Sequence, residues 1–144
     1  MSGNPITIRL LGPEDAFVLD RVKDGVFDNP IDPSRAWAFL ATRVNVLVVA
    51  LDGAEVVGFA YGTTMLRVDK PTAFYVDEIS VHEAYRNQGV GKKLLRRIEA
   101  EARDRGCESL WLATEGDNAE ARGLYDALKG DVLEGVAVYE WSFD

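Results

Sequence analysis

The sequence predicts an α/β (α+β) domain in which helices pack on one mixed sheet. Three observations predict it. Between residues 45 and 81 lie three strand-like segments separated by turn residues. A long amphipathic helix pattern follows them directly, and further strands and helices alternate on either side. No linker, internal repeat or low-complexity stretch divides the chain, so residues 1–144 are expected to form a single domain. A chain of 144 residues can bury roughly 70% of its unfolded surface, enough for one core without staples.

Each element has its own signal. Ile6–Leu10 alternates in polarity and reads as a strand. Gly12-Pro13 ends it, and Glu14–Val22 reads as a helix with an acidic first turn. The loop Asp28-Asn29-Pro30-Ile31 leads to Asp32, a cap for a helix with Pro33 in its first turn. Asn45–Leu51 is an apolar strand, turned at Asp52-Gly53 into a partner over Glu55–Leu66. Asp69-Lys70-Pro71 breaks the chain again before a third strand, Ala73–Val81, which completes a meander. From Gly89 to Arg105 the residues Val90, Leu94, Leu95, Ile98 and Ala102 form one helical stripe, ended by Gly106. Leu110–Ala113 reads as a short buried strand, Asn118–Leu128 as a helix and Val136–Phe143 as a closing strand.

Composition narrows the function. Apolar residues are 47% and charged residues 28%, an ordinary globular balance. No apolar run approaches 18 residues, so no membrane span is expected. The opening Met1-Ser2-Gly3-Asn4 has neither a basic nor an apolar region, so no secretory signal is expected and the cytoplasm is the expected compartment. The net charge of −8 repels phosphate backbones, which argues against nucleic-acid partners, and it concentrates cations. One cysteine, Cys107, excludes an internal disulfide. With one histidine, His82, and one cysteine, no metal cluster or Cys–His pair is expected. His82 is expected to be a solvated loop residue, Cys107 a packing residue, and Trp37, Trp111 and Trp141 members of the core.

The segment that carries chemistry is Tyr85-Arg86-Asn87-Gln88-Gly89-Val90-Gly91-Lys92, between a strand and the long helix. Glycine lets the backbone approach a ligand, and the N–H groups at a helix start attract an anion. A phosphate site follows. A P-loop needs glycine where Arg86 stands and Ser or Thr where Lys93 stands, so that motif fails. A dinucleotide fingerprint needs a third glycine at Leu94, so that one fails too.

Arg86-x-x-Gly89-x-Gly91 resembles the pyrophosphate motif of the GNAT superfamily of N-acetyltransferases. A second element, Asn118-x-x-Ala121-x-x-Leu124-Tyr125, follows at the family's distance. The resemblance implies the GNAT fold, with a mixed, mostly antiparallel sheet of six to seven strands and about four helices. It implies acetyl-CoA as cofactor, with its pyrophosphate on the backbone of Arg86, Asn87, Gln88, Gly89, Val90, Gly91 and Lys92. It further implies that Ile79, Ser80 and Val81 lie on a strand splayed from its neighbour, with their backbone toward the pantetheine and the acetyl oxygen. Asn118 would contact the pantetheine arm, and Tyr125 would protonate the leaving thiolate.

Acetyl transfer also needs a base for the amine. Asp77 and Glu78 lie in an otherwise apolar strand, an expensive place for charge without a partner or a task. They should face opposite sides of the sheet unless a bulge intervenes. Glu78 is the favoured base, since carboxylates occur at the matching place in antibiotic-modifying GNAT enzymes. More closely, the stretches Tyr75–Gly89 and Ala121–Tyr125 resemble the type I aminoglycoside 3-N-acetyltransferases. That resemblance implies a polycationic acceptor, and the net negative charge supports one independently: Asp28, Asp32, Asp77 or Glu78, and Glu140 are the acids that could line a cleft for it. A polyamine, another metabolite or a protein lysine are alternative acceptors, and a non-catalytic acyl-CoA-binding module is the non-enzymatic alternative. A homodimer is entertained because the apolar closing strand could pair across an interface.

Overall fold

The computed structural model describes residues 5–143. Residues 1–4, read above for the absence of a leader, lie outside the described residues. The chain divides into two compact units, one up to Ala113 and one from Thr114. No helix among the described residues is long and apolar enough to cross a membrane.

The first unit is built on a five-stranded sheet whose spatial order is its sequence order. Strands β1 (Thr7–Leu11), β2 (Asn45–Asp52), β3 (Glu55–Met65) and β4 (Ala73–Val81) are antiparallel neighbours. Strand β5 (Ser109–Trp111) is parallel to β4. The meander expected over residues 45–81 is therefore present, with the two-residue turn at Gly53-Ala54 and Asp52 already paired with Glu55. Period-two patterning sorts β2 between two faces. Leu47, Val49 and Leu51 join Val56, Phe59, Leu40 and Val18 in a core under the first helices. The opposite face meets α2 (Val90–Asp104), where the side chain of Leu94 lies 3.4 Å from a Cβ built on Gly58.

The stripe read from the sequence is the buried face of α2, made of Val90, Leu94, Leu95, Ile98 and Ala102. Its end is a Schellman motif: Gly106 N–H donates to Arg103 O and Cys107 N–H to Ala102 O, each at 3.0 Å. The segment read as a helix over Glu14–Val22 is a 3₁₀ helix at Pro13–Asp20. Its residues lack a sustained 3.6-residue stripe, so no α-helical face is selected. Helix α1 (Pro33–Ala41) opens as expected, with the Asp32 carboxylate accepting from Ser34 N–H at 2.9 Å and Arg35 N–H at 3.1 Å. Loss of that cap in Asp32→Ala should cost about 1 kcal/mol in urea unfolding. Unchanged stability with a raised acceptor KM would return Asp32 to the acceptor site.

Two bulges shape β3 and β4. Ala50 pairs with Gly58 but Leu51 with Val56, so Val57 is an extra residue. Beside it, Val56 N–H donates to Arg21 O and its carbonyl accepts from Lys23 N–H, which ties the loop after the 3₁₀ helix to the sheet. Further along, Tyr61 pairs with Glu78 but Gly62 with Val76, so Asp77 is the extra residue of β4.

The second unit contains α3 (Ala119–Ala127), and Asn118 caps it by accepting from Ala121 N–H at 3.1 Å. Ala121, Leu124, Tyr125 and Leu128 form its half-buried stripe. The closing strand expected over Val136–Phe143 is not formed. Alternating apolarity makes a segment able to be a strand, but a strand exists only where a ladder partner is present. Among the described residues the sheet therefore has five strands, not six to seven. Strand β5 is shorter and more open than expected, with Ser109 and Trp111 exposed. The three tryptophans are not core residues. Trp37 lies off the Ala36, Phe39 and Leu40 stripe of α1, Trp111 leans on the Tyr75 ring at 4.4 Å, and Trp141 falls outside any regular element.

Candidate functional site

The turn before α2 has the geometry of an anion cradle. Asn87 has φ 62° and Gly89 has φ 79°, so two left-handed residues lie just before the helix begins at Val90. Left-handed residues in a turn of this kind help successive N–H groups to converge. The first helical hydrogen bond runs from Lys93 N–H to Gly89 O, so the N–H groups of Val90, Gly91 and Lys92 have no partner within the helix. The macrodipole adds partial positive charge there, and Lys92 and Lys93 stand in the first turn. Side chains hold the turn in place: Arg86 Nε donates to Val81 O at 3.0 Å and Gln88 Nε2 to Ala84 O at 3.3 Å. Buried Tyr85 donates from its hydroxyl to Asp52 at 2.5 Å. That hydrogen bond, with burial and the charges of Asp52 and Glu55, pushes the Tyr85 phenol up to about 12. The residues present fit a pyrophosphate.

Strand β4 leads into this turn. It pairs with β5 only through Ala73–Tyr75, so Ile79, Ser80 and Val81 keep β3 on one edge and no strand on the other among the described residues. Strand β4 therefore presents an open edge just before the turn. Upstream of it lie the two carboxylates. The bulge places Asp77 in the open, whereas Glu78 is half-buried in direct register with Tyr61. The Tyr61 hydroxyl donates to Glu78 Oε2 at 2.9 Å. Burial first, then the hydrogen bond and charge of Glu78 and the charges of Asp77 and Asp28, push the Tyr61 phenol above the tyrosine range. Asp28, Asp77 and Glu78 therefore act on one point.

A ring series links that point to a cavity. Phe59 stacks on Tyr61 at 5.5 Å and on Phe27 at 3.9 Å. Phe27 and Asp28 line an open cavity of about 650 Å³ between the 3₁₀ helix, the following loop and the start of α1. Asp20 and Asp24 line it too, and Lys23, its one cation, is paired with Glu55 at 3.8 Å. An acidic, partly aromatic cavity of this size suits a cationic small molecule.

The acetyltransferase (GNAT) family model matches residues 16–130. The chain belongs to the acetyltransferase (GNAT) family. The N-alpha-acetyltransferase RimI of Mycobacterium tuberculosis is 32% identical over 123 residues, 84% of this chain and 75% of that protein. The thialysine N-epsilon-acetyltransferase of Bos taurus is 36% identical over 76 residues, 53% of this chain and 45% of that protein. The chain thus spans about half the length of several curated relatives it matches. The structure of an aminoglycoside acetyltransferase, meta-AAC0020 from an uncultured soil metagenomic sample, solved with sisomicin, superposes with TM-score 0.82. It is 19% identical, covering 96% of this chain and 97% of that one, and this likeness shows the GNAT fold.

Several residues read from the sequence carry local structural duties in this GNAT chain. Asp32 caps α1 and does not line the cavity. Asn118 commits its carbonyl oxygen to capping α3, which leaves its amide N–H groups as the donors for a ligand. His82 lies in the loop after β4, partly exposed, and its Nδ1 accepts from Ala84 N–H at 3.1 Å to cap the 3₁₀ turn Glu83–Tyr85. Cys107 is only half-buried. Glu140 is exposed and lies outside any strand. Burial raises the Tyr125 phenol, so its hydroxyl keeps its proton. Tyr61 was missed in the sequence. Its alternation with Phe59 and Thr63 marked its face, but nothing in the sequence marked its pairing with Glu78.

Proposed function

We propose that this chain transfers an acetyl group from acetyl-CoA to a primary amine of a polycationic small molecule, an aminoglycoside at its 3-N position. The observation that carries the reading is the hydrogen bond of half-buried Glu78 to Tyr61, whose ring series runs to an acidic cavity lined by Asp28. Residues 1–144 act as one acetyltransferase domain in this reading, supported by a family match that runs from residue 16 to 130.

Acetyl-CoA supplies the acetyl group as a thioester. The N–H groups from Arg86 to Lys92 bind its pyrophosphate, and the open edge of β4 at Ile79, Ser80 and Val81 aligns with the pantetheine. Asn118 amide N–H groups donate to the same arm. Glu78 takes the proton from the acceptor amine as nitrogen attacks the acetyl carbon. The carbon–sulfur bond breaks, and the Tyr125 hydroxyl donates its proton to the departing sulfur. Asp28 and Asp77 attract the other ammonium groups of the acceptor, and Asp20 and Asp24 extend the same field. Tyr125→Phe is expected to slow transfer about tenfold with an unchanged circular dichroism spectrum. Undiminished transfer removes the acid role.

The 84% coverage shared with RimI favours a second reading, in which the acceptor is the α-amine of a protein. Thiol release from acetyl-CoA with a panel of gentamicin, spermidine, a lysine peptide and an alanine-initiated peptide separates these. Release with gentamicin alone supports the proposal, and release with a peptide alone replaces it. Acetyl-CoA binding without release on any amine favours a sensing module.

A further inference from the structure

The proposed base has a partner that the chemistry above does not use. The geometry points to Tyr61 as a positioning residue, which aims Glu78 at the acceptor amine through the hydrogen bond to Oε2. This rests on the reading of Glu78 as the base.

Four observations carry it. The extra residue at Asp77 reverses the alternation of β4, so Glu78 arrives on the same face as Tyr61 and in direct register with it. Across such a pair the hydroxyl reaches one carboxylate oxygen at 2.9 Å, which fixes that oxygen and leaves Oε1 for the amine proton. The phenol is itself held in place. Phe59 stacks against its ring at an interplanar angle of 15°, and Phe39 of α1 meets its edge at 5.4 Å. A donor held between packed rings is suited to keeping a base in one orientation. Finally, burial, together with the hydrogen bond to Glu78 and the nearby carboxylates, keeps the phenol protonated, so Tyr61 stays a donor and does not compete as a base. The charged groups that bear on it are Glu78 and Asp77 from β4 and Asp28 from the loop before α1.

Position, not burial, is the function assigned to the hydroxyl. A structural tyrosine would lose stability on removal of its hydroxyl and leave turnover alone. A positioning tyrosine loses turnover only while the base is present.

The test is a double-mutant cycle on thiol release, with the amine that gives the fastest release in the panel as acceptor. Tyr61→Phe keeps the ring and its packing, and is expected to lower kcat about tenfold with KM for acetyl-CoA unchanged. In a Glu78→Gln background, Tyr61→Phe should have no further effect on kcat. Tyr61→Phe with wild-type kcat, while Glu78→Gln is slow, overturns the inference and leaves the base assignment standing. Equal losses from Tyr61→Phe in both backgrounds overturn it as well. Wild-type turnover in Glu78→Gln removes the base assignment and this inference together.

Discussion

Glu78→Gln is expected to lower turnover by roughly 10²-fold while acetyl-CoA binding stays within about twofold. The substitution conserves shape. Glutamine still offers an amide oxygen to the Tyr61 hydroxyl, which now meets Glu78 at 2.9 Å, so the cross-strand pair survives. What is lost is the ability to accept the amine proton. Glu78 lies on β4 upstream of the turn that fits the pyrophosphate, so cofactor affinity depends on other residues. Steady-state thiol release gives kcat, and calorimetry gives the acetyl-CoA Kd. A variant with wild-type kcat excludes Glu78 as the base. Asp77, exposed on the bulge and only one residue away, then becomes the carboxylate to replace.

Gly62→Ala is expected to cost more than about 3 kcal/mol of stability, a loss of roughly 10 °C in Tm. A Cβ at residue 62 would lie 2.0 Å from Tyr75 O and 2.7 Å from the Phe74 ring. The first of these neighbours is backbone and cannot rotate aside. Strands β3 and β4 would have to part where Gly62 pairs with Val76, immediately beside the Asp77 bulge. The bulge brings Glu78 to Tyr61, so activity should fall even in whatever fraction folds. Gly58→Ala is the internal comparison. Its Cβ would meet Ser80 O at 3.0 Å and the movable Leu94 side chain at 3.4 Å, so the loss should be smaller. Differential scanning fluorimetry of the two variants measures the difference. A Gly62→Ala protein as stable as Gly58→Ala would mean that the strands at the bulge are not closely apposed.

Much of the fold was legible before any coordinate. The α2 stripe from Val90 to Ala102 and the Asp32 and Pro33 start of α1 depend on residues within one or two turns. The meander depends on apolar runs joined by a two-residue turn. Local signals of that kind survive folding because tertiary contacts reinforce them. Val136–Phe143 shows the limit, since an alternating pattern cannot supply its own ladder.

The turn proposed to hold the pyrophosphate was also readable, because glycine at 89 and cations at 86 and 92 mark it directly. The acceptor side was not. Asp77 and Glu78 are adjacent in the chain, and alternation placed them on opposite faces. The fold instead gives Glu78 a half-buried place against Tyr61 and Asp77 an exposed one. It also brings in Asp28 from a loop, by tying residues 21–23 to the bulge beside Val57. Both outcomes come from register shifts between strands. A bulge is chosen by the pairing of two distant segments, and that pairing is a balance of packing energies summed over the whole sheet. The chain itself therefore specifies the family, the glycine turn and most elements, while the pairing of Glu78 with Tyr61 arises only once β3 and β4 meet.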